Sequence, residues 1–284
     1  MGRSAAAGAP LTGRNPRVAI ALLVLLVVVA IAAPWFAPSD PRAQPDLARI
    51  WEAPSATHLL GTDSAARDVL SRLLYGSRVT IGIATLAVLV SLTLGTLVGA
   101  SAAVLRGVGD AVLMRITDAM LAFPRLLLVI LVVAGTGDPG TFSLAILIGA
   151  TGWMTTSRLV RQETRRLLAT DHLRAARALG VPRRRLLTRH VLPGLAPTLA
   201  AAAVLSFAAA VPLETGLSFL GLGVRAPFPS WGNIIADADS RPLAHWWLVL
   251  FPTIAIALTV IAANVVAEGF ARRAREDAAS GGGA

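Results

Sequence analysis

The chain has 284 residues, 55% hydrophobic and 15% charged, with mean hydropathy +0.67 and a formal net charge of +10. A soluble domain carries about 25% charged residues, so this composition makes lipid the main solvent and predicts an all-α integral membrane protein. There is no cysteine and all 26 basic residues are arginine, which excludes disulfides, thiol catalysis, Cys-ligated metals, Schiff-base lysines and a lysine-dependent P-loop. Work driven by a nucleotide therefore needs another chain to bind that nucleotide. The positive charge fits arginine retained on the cytoplasmic side of a membrane better than it fits nucleic acid.

Six apolar stretches approach the ~20 residues needed to cross a bilayer: Val18 to Phe36, Val79 to Leu105, Ala111 to Ala134, Phe142 to Ser157, Leu195 to Leu213 and Trp246 to Ala267. Residues 1–17 form a cytoplasmic tail before the first span (18–36). Arg14 and Arg17 precede an apolar run longer than a signal core, which predicts an uncleaved anchor helix rather than a cleaved signal. Residues 37–78 form an extracytoplasmic loop, Pro-rich at Pro38, Pro41, Pro45 and Pro54. Within it Val69, Leu70, Leu73 and Leu74 recur at helical spacing, with Thr62 or Asp63 as the cap, and predict an amphipathic helix lying on the outer surface. Residues 79–270 hold the other five spans, with TGDPG as a tight outer turn, and 271–284 are a second cytoplasmic tail ending in a disordered SGGGA.

Arginine counting sets the orientation. Six spans put both termini on one side, together with 18 arginines against 7 on the other, and that side is the cytoplasm.

Between the fourth and fifth spans, residues 158–194 carry ten arginines against Glu163 and Asp171 alone. Asp171 suits a helix N-cap, Leu173, Ala176 and Leu179 follow at helical spacing, and Gly180 sits where a left-handed C-terminal cap belongs. Pro182 opens a second short helix presenting Leu186, Leu187 and Val191, which Leu192-Pro193-Gly194 is expected to end. A solvated loop whose arginines hold topology explains the charge. It does not explain the small residues Ala175, Ala176 and Ala178, the glycine turn or the paired apolar faces, which a helix-turn-helix docking knob does.

This segment resembles the EAA motif of ABC importer permeases. Ala175 and Ala176, Gly180 at the proper spacing and Leu192-Pro193 match it; Arg174 stands in place of the glutamate and His190 in place of an apolar residue. LLGTDSAARDVLSRLLYGSR (59–78), MRITDAMLAFP (114–124), LSFLGLGV (217–224), PSWG (229–232) and the Trp pair at 246–247 are similar to the dipeptide, oligopeptide and nickel branch of that family. Ala66 departs from the glycine usual before Arg67 and Asp68. The likeness runs from Leu59 to the end of the sixth span and is that of the second permease subunit.

The resemblance implies a six-span permease of the type I importer kind, in the bacterial plasma (inner) membrane. Arg174, Ala175, Ala176, Gly180, Val181, Pro182, Leu192 and Pro193 would form the coupling helix and its turn, seated on an ATPase. It further implies a second homologous permease, two cytoplasmic ABC ATPase subunits that bind ATP and Mg, and an extracytoplasmic solute-binding protein. No cofactor, metal or nucleic acid is expected in this chain. Di- or oligopeptides are the expected solutes, with nickel or another metal chelate as the alternative.

Ionisable residues within the spans are expensive and carry function by default. Arg115, Asp118 and Arg125 share one face of a continuous third span, with Asp118 in reach of Arg115. Two readings stand: a stripe facing a water-filled path, or a structural pair beside a snorkelling Arg125. Glu214, followed by Thr215, Gly216, Ser218 and Gly221, ends the fifth span in a stretch able to form an irregular or re-entrant backbone. In the resembling family this region lies at the external gate, which makes Glu214 and Ser218 gate candidates. Anchoring of a helix end by Trp231, Trp246 and Trp247 at the membrane interface is the other reading. Asn264 and Glu268 are read as structural.

No catalytic constellation is present: His58, His172, His190 and His245 are scattered, with neither metal-ligand spacing nor a nucleophile elbow. An ion-coupled secondary transporter is the rival class, but no internal repeat or mid-membrane acidic relay supports it.

Overall fold

The computed structural model describes residues 16–40, 47–137, 140–238 and 241–280. Expectations for the tail at 1–15, for Pro41, Arg42 and Pro45, for Asp138 and Pro139 of the outer turn and for the end at 281–284 lie outside those residues.

The described residues form helices and no β-sheet. In order these are α1 (Pro16–Phe36), α2 (Val69–Leu105), α3 (Gly107–Leu121), α4 (Arg125–Thr136), α5 (Gly140–Ala150), α6 (Trp153–Leu168), α7 (Asp171–Ala178) and α8 (Arg183–Leu186). A π-turn (Leu187–Val191) and α9 (Leu192–Gly194) lead into α10 (Ala196–Phe219), followed by α11 (Trp231–Ala236) and α12 (Trp246–Ser280). By length and composition α1, α2, α10 and α12 can each cross a membrane, and the bent pair α3–α4 makes five. The expected fourth span appears as the 11-residue α5, whose hydrogen bonding runs on through Thr151 and Gly152 toward α6.

Two expected elements come out differently. The outer amphipathic helix is not separate, because α2 runs unbroken for 37 residues, about 55 Å at 1.5 Å per residue. Its cap is Asp68, not Thr62 or Asp63: the Asp68 carboxylate accepts from the Ser71 amide at 2.7 Å. No proline interrupts the stretch, so helix already begun at Val69 simply propagates. The third span, in contrast, is broken. Pro124 lacks an N–H and disfavours helix at Phe123, and α3 and α4 meet at 82°.

A stripe of small residues on α2 lets other helices close on its backbone. Buried Gly76, Thr80, Ala84, Ala87, Ser91, Gly95, Gly99 and Ala102 repeat every three or four residues. At Gly99 an added Cβ would lie 2.3 Å from the Ser157 carbonyl oxygen of α6. Gly99→Ala is therefore expected to force α2 and α6 apart and cost about 1–3 kcal/mol. Thermal unfolding in detergent checks this, and an unchanged midpoint would mean the helix pair gives way freely.

The main buried cluster joins α2, α4, α5, α10 and α11 through Ala84, Val129, Ile148, Val211 and Trp231. Val18, Val24, Val28 and Ile31 of α1 are exposed, as a lipid-facing anchor requires, while Ala19 packs with Ala262 and Val266 of α12.

Candidate coupling segment and membrane pathway

The segment after α6 folds back as a compact elbow. Thr170, not Asp171, holds the N-cap position of α7; Asp171 is the first helical residue, an acid placed favourably at the helix's positive end. Gly180 adopts φ +80°. Its amide donates to the Arg177 carbonyl at 3.0 Å and that of Val181 to the Ala176 carbonyl at 3.1 Å, the double closure that caps a helix by a left-handed residue. α8 follows Pro182 directly.

Leu192-Pro193-Gly194 does not end the second helix. The chain widens by one residue per turn at 187–191, the Leu192 amide reaching back to the Leu187 carbonyl, and helical structure carries on toward α10. A proline within a helix removes one bond and crowds the carbonyl four residues back, and the wider turn absorbs both effects.

The elbow has two sides. Leu173, Leu186 and Val191 are buried with Val160 and Leu168 of α6 and with Leu195, and Ala176 and Val181 pack against them beside Ala100 of α2. The outward side presents Arg174, Ala175, Gly180, Pro182, Leu192 and Pro193, and at its tip Leu179 is 85% exposed.

Acids of α3 hold three of the segment's arginines. Asp110 receives Nε and Nη2 of Arg161 at 2.5 and 2.6 Å and Nη2 of Arg165 at 2.6 Å. The hydrogen bond to Asp110 lifts the Arg161 guanidinium above its ordinary pKa, so it stays charged. Asp118 pairs with Arg158 rather than with Arg115.

Deeper in the bundle the break after α3 sends Arg125 to the start of α4, so it shares no helical face with Asp118. Its Nη2 donates to the Ile148 carbonyl at 2.5 Å and its Nε reaches the Thr151 hydroxyl at 3.4 Å.

Glu214 does not end the fifth span. It lies inside α10, fully buried, and the helix continues through Thr215, Gly216 and Ser218 to Phe219; the irregular backbone begins after it, with Gly221 at φ +73°. Ser218 Oγ donates to Glu214 Oε1 at 2.6 Å and accepts the Val224 amide at 3.0 Å. Thr80 of α2 and Ser230 at the cap of α11 lie around the same carboxyl.

The family of binding-protein-dependent transport system inner membrane components matches residues 91–276. The chain belongs to this family. It is a transport subunit of a multi-pass inner-membrane assembly. The permease is similar to a putative peptide transport system permease protein of Brucella suis, 37% identical over 90% of this chain and 86% of that one. It resembles the di/tripeptide transport system permease DppC of Pseudomonas aeruginosa at 37% identity, covering 87% and 83% of the two chains. The oligopeptide transport system permease OppC of Mycobacterium bovis is 34% identical over 89% and 88%. Among solved structures, an inward-facing conformation of the MetNI methionine ABC transporter superposes with TM-score 0.56 at 17% identity, over 71% of this chain and 97% of that one, a likeness of fold.

Of the pathway candidates, the permease fold brings Glu214 and Ser218 together and sends Asp118 and Arg125 to different neighbours. Sequence reading passed over two clusters. Asp110 and Asp118 stand eight residues apart on α3 and Arg158, Arg161 and Arg165 recur at spacings of three and four on α6, a complementary pair of faces visible in principle.

The second cluster lies in the loop before α2, the one expected on the outer side. Fully buried Asp63 binds Arg67 Nε at 2.7 Å and also Arg72, and both arginines reach Asp237 beside α11. Ala66 turns this loop at φ +56°, a left-handed position that explains why a glycine is usual there in the resembling branch. Trp231 and Trp247 are buried, donating to the carbonyls of Leu73 and Thr62, so of these three expected anchors Trp246, half-exposed, is the one that suits a membrane interface.

Proposed function

We propose that this permease is the second transmembrane subunit of an ATP-driven importer of di- or oligopeptides, working by alternating access. The names of the relatives support peptide over nickel or another chelate as the solute. A partner permease completes the pathway, two cytoplasmic ATPase subunits bind ATP and Mg, and an extracytoplasmic binding protein delivers the solute. Both termini and the elbow at 171–194 face the cytoplasm.

The observation that carries this reading is the two-sidedness of the elbow. Its outward face is open to a partner, while its inward leucines share one buried cluster with α2, α6 and α10. Packed cores move as units, so an ATPase dimer closing on ATP and pulling α7 shifts those three helices together. The result is a switch between inward-open and outward-open states.

Reconstitution tests it. Vesicles holding both permeases, the ATPases and ATP are expected to take up peptide delivered by the binding protein, and to stop when the ATPases are left out. Uptake by this subunit alone, driven by a proton or sodium gradient, would overturn the proposal.

A further inference from the structure

The break between α3 and α4 sets Arg125 against neutral partners. Arg125 is partly buried at the first residue of α4. Its guanidinium has five N–H donors, and the Ile148 carbonyl and Thr151 hydroxyl take only two of them. No carboxylate pairs with it among the described residues; Asp118, the nearest acid in sequence, is engaged by Arg158.

Beside it lies a second unmet group. Ser91 of α2 is 2% exposed, and its hydroxyl has no hydrogen-bond partner among the described residues. Both groups converge on the space that a side chain at residue 152 would take, which glycine leaves to them: a Cβ there would meet Arg125 Nη2 at 2.8 Å and Ser91 Oγ at 3.1 Å. Pro124, at the N-cap of α4, makes no side-chain cap, so the positive end of that half-helix falls at the same break.

Depth points the same way. α5 is 11 residues long, so Ile148 near its far end lies about 12 Å along the helix from Gly140; with Gly140 at the outer edge, where the expected span order puts it, that approaches the middle of a ~30 Å hydrocarbon core. Arginine at that depth cannot face lipid cheaply, and discontinuous helices near the midplane are a recurring way to build solute sites in transporters.

We propose that Arg125, with Ser91 beside Gly152, binds the C-terminal carboxylate of the transported peptide during its passage. This rests on the peptide-importer reading above. Every linear peptide with an unmodified C-terminus carries that group whatever its side chains, so a carboxylate site would pass varied sequences while holding one end of each.

The test uses the complete assembly in vesicles, with trialanine and trialanine amide each supplied at concentrations that saturate the binding protein. The wild type is expected to take up the free acid about ten-fold faster than the amide, the range for a hydrogen bond to a charged group. Arg125→Gln should bring that ratio to about one, Arg125→Lys should keep most of it, and Ser91→Ala should reduce it.

A ratio near one in the wild type, or one unchanged by Arg125→Gln, overturns the proposal. If Arg125→Gln instead separates the two permeases in detergent and Ser91→Ala leaves the ratio intact, the anion belongs to the partner subunit and the proposal likewise falls. Complete absence of ATP-driven uptake in the wild type sinks the importer reading itself, a separable result.

Discussion

Gly180→Val is expected to cut ATP-driven uptake about ten-fold or more while leaving insertion and the membrane bundle intact. The residue sits at φ +80°, and a Cβ there would meet nothing within 4 Å. The penalty is therefore one of backbone, not of packing: a left-handed conformation costs an ordinary L-residue about 1–2 kcal/mol, and a β-branched one suffers most. The chain escapes by giving up the hydrogen bonds from Gly180 to Arg177 and from Val181 to Ala176 that set α7 against α8. Leu179 and Ala175 then lose the fixed direction that the proposed ATPase docking needs.

This mechanism makes a graded forecast. Asparagine, which tolerates the left-handed region, should retain more transport than alanine, and alanine more than valine. Uptake per copy of inserted protein, with co-purification of the ATPase, measures it. Full ATP-driven uptake by the valine variant would show that the turn does not carry the docking.

Asp63→Ala is expected to destabilise the folded protein by about 3 kcal/mol or more, the usual cost of removing one partner from a buried ion pair. Arg72 is 3% exposed, so it cannot recover hydration by turning outward. Asp237, 25% exposed on its side chain, stays to hold part of the charge. Asp63 also accepts the amides of Ala65 and Arg67, at 2.8 and 2.9 Å, so the loop preceding α2 loses its backbone anchors along with the salt bridges. Asp63→Asn keeps an acceptor for those amides and should cost less. Thermal unfolding in detergent reads both variants, and because the pair is buried the difference should persist in high salt. A shift equivalent to less than 1 kcal/mol for alanine would mean the network is superficial.

What the amino-acid order determined alone is whatever depends on neighbours along the chain. Apolar run length made this an α-helical membrane protein, the all-arginine basic set left no lysine for a P-loop, and the spacing from Asp171 through Gly180 to Pro193 outlined the elbow, with its left-handed glycine. The expected third span ran straight through Pro124, although proline's missing N–H and its effect on the residue before it are local rules, and the structure bends there by 82°.

The tertiary structure alone decided which charged groups meet. Arg67 and Arg72, both held by Asp63, reach across the fold to Asp237, Asp118 finds Arg158 forty residues away, and Arg125 and Ser91 both point at the place where a glycine on a third segment lacks a side chain. Hydrophobic periodicity says which face of a helix is buried but not against what, and a polar partner drawn from a distant segment leaves no trace in a local pattern. In a membrane those distant pairings matter most, because a charge left unmatched there has no water to turn to.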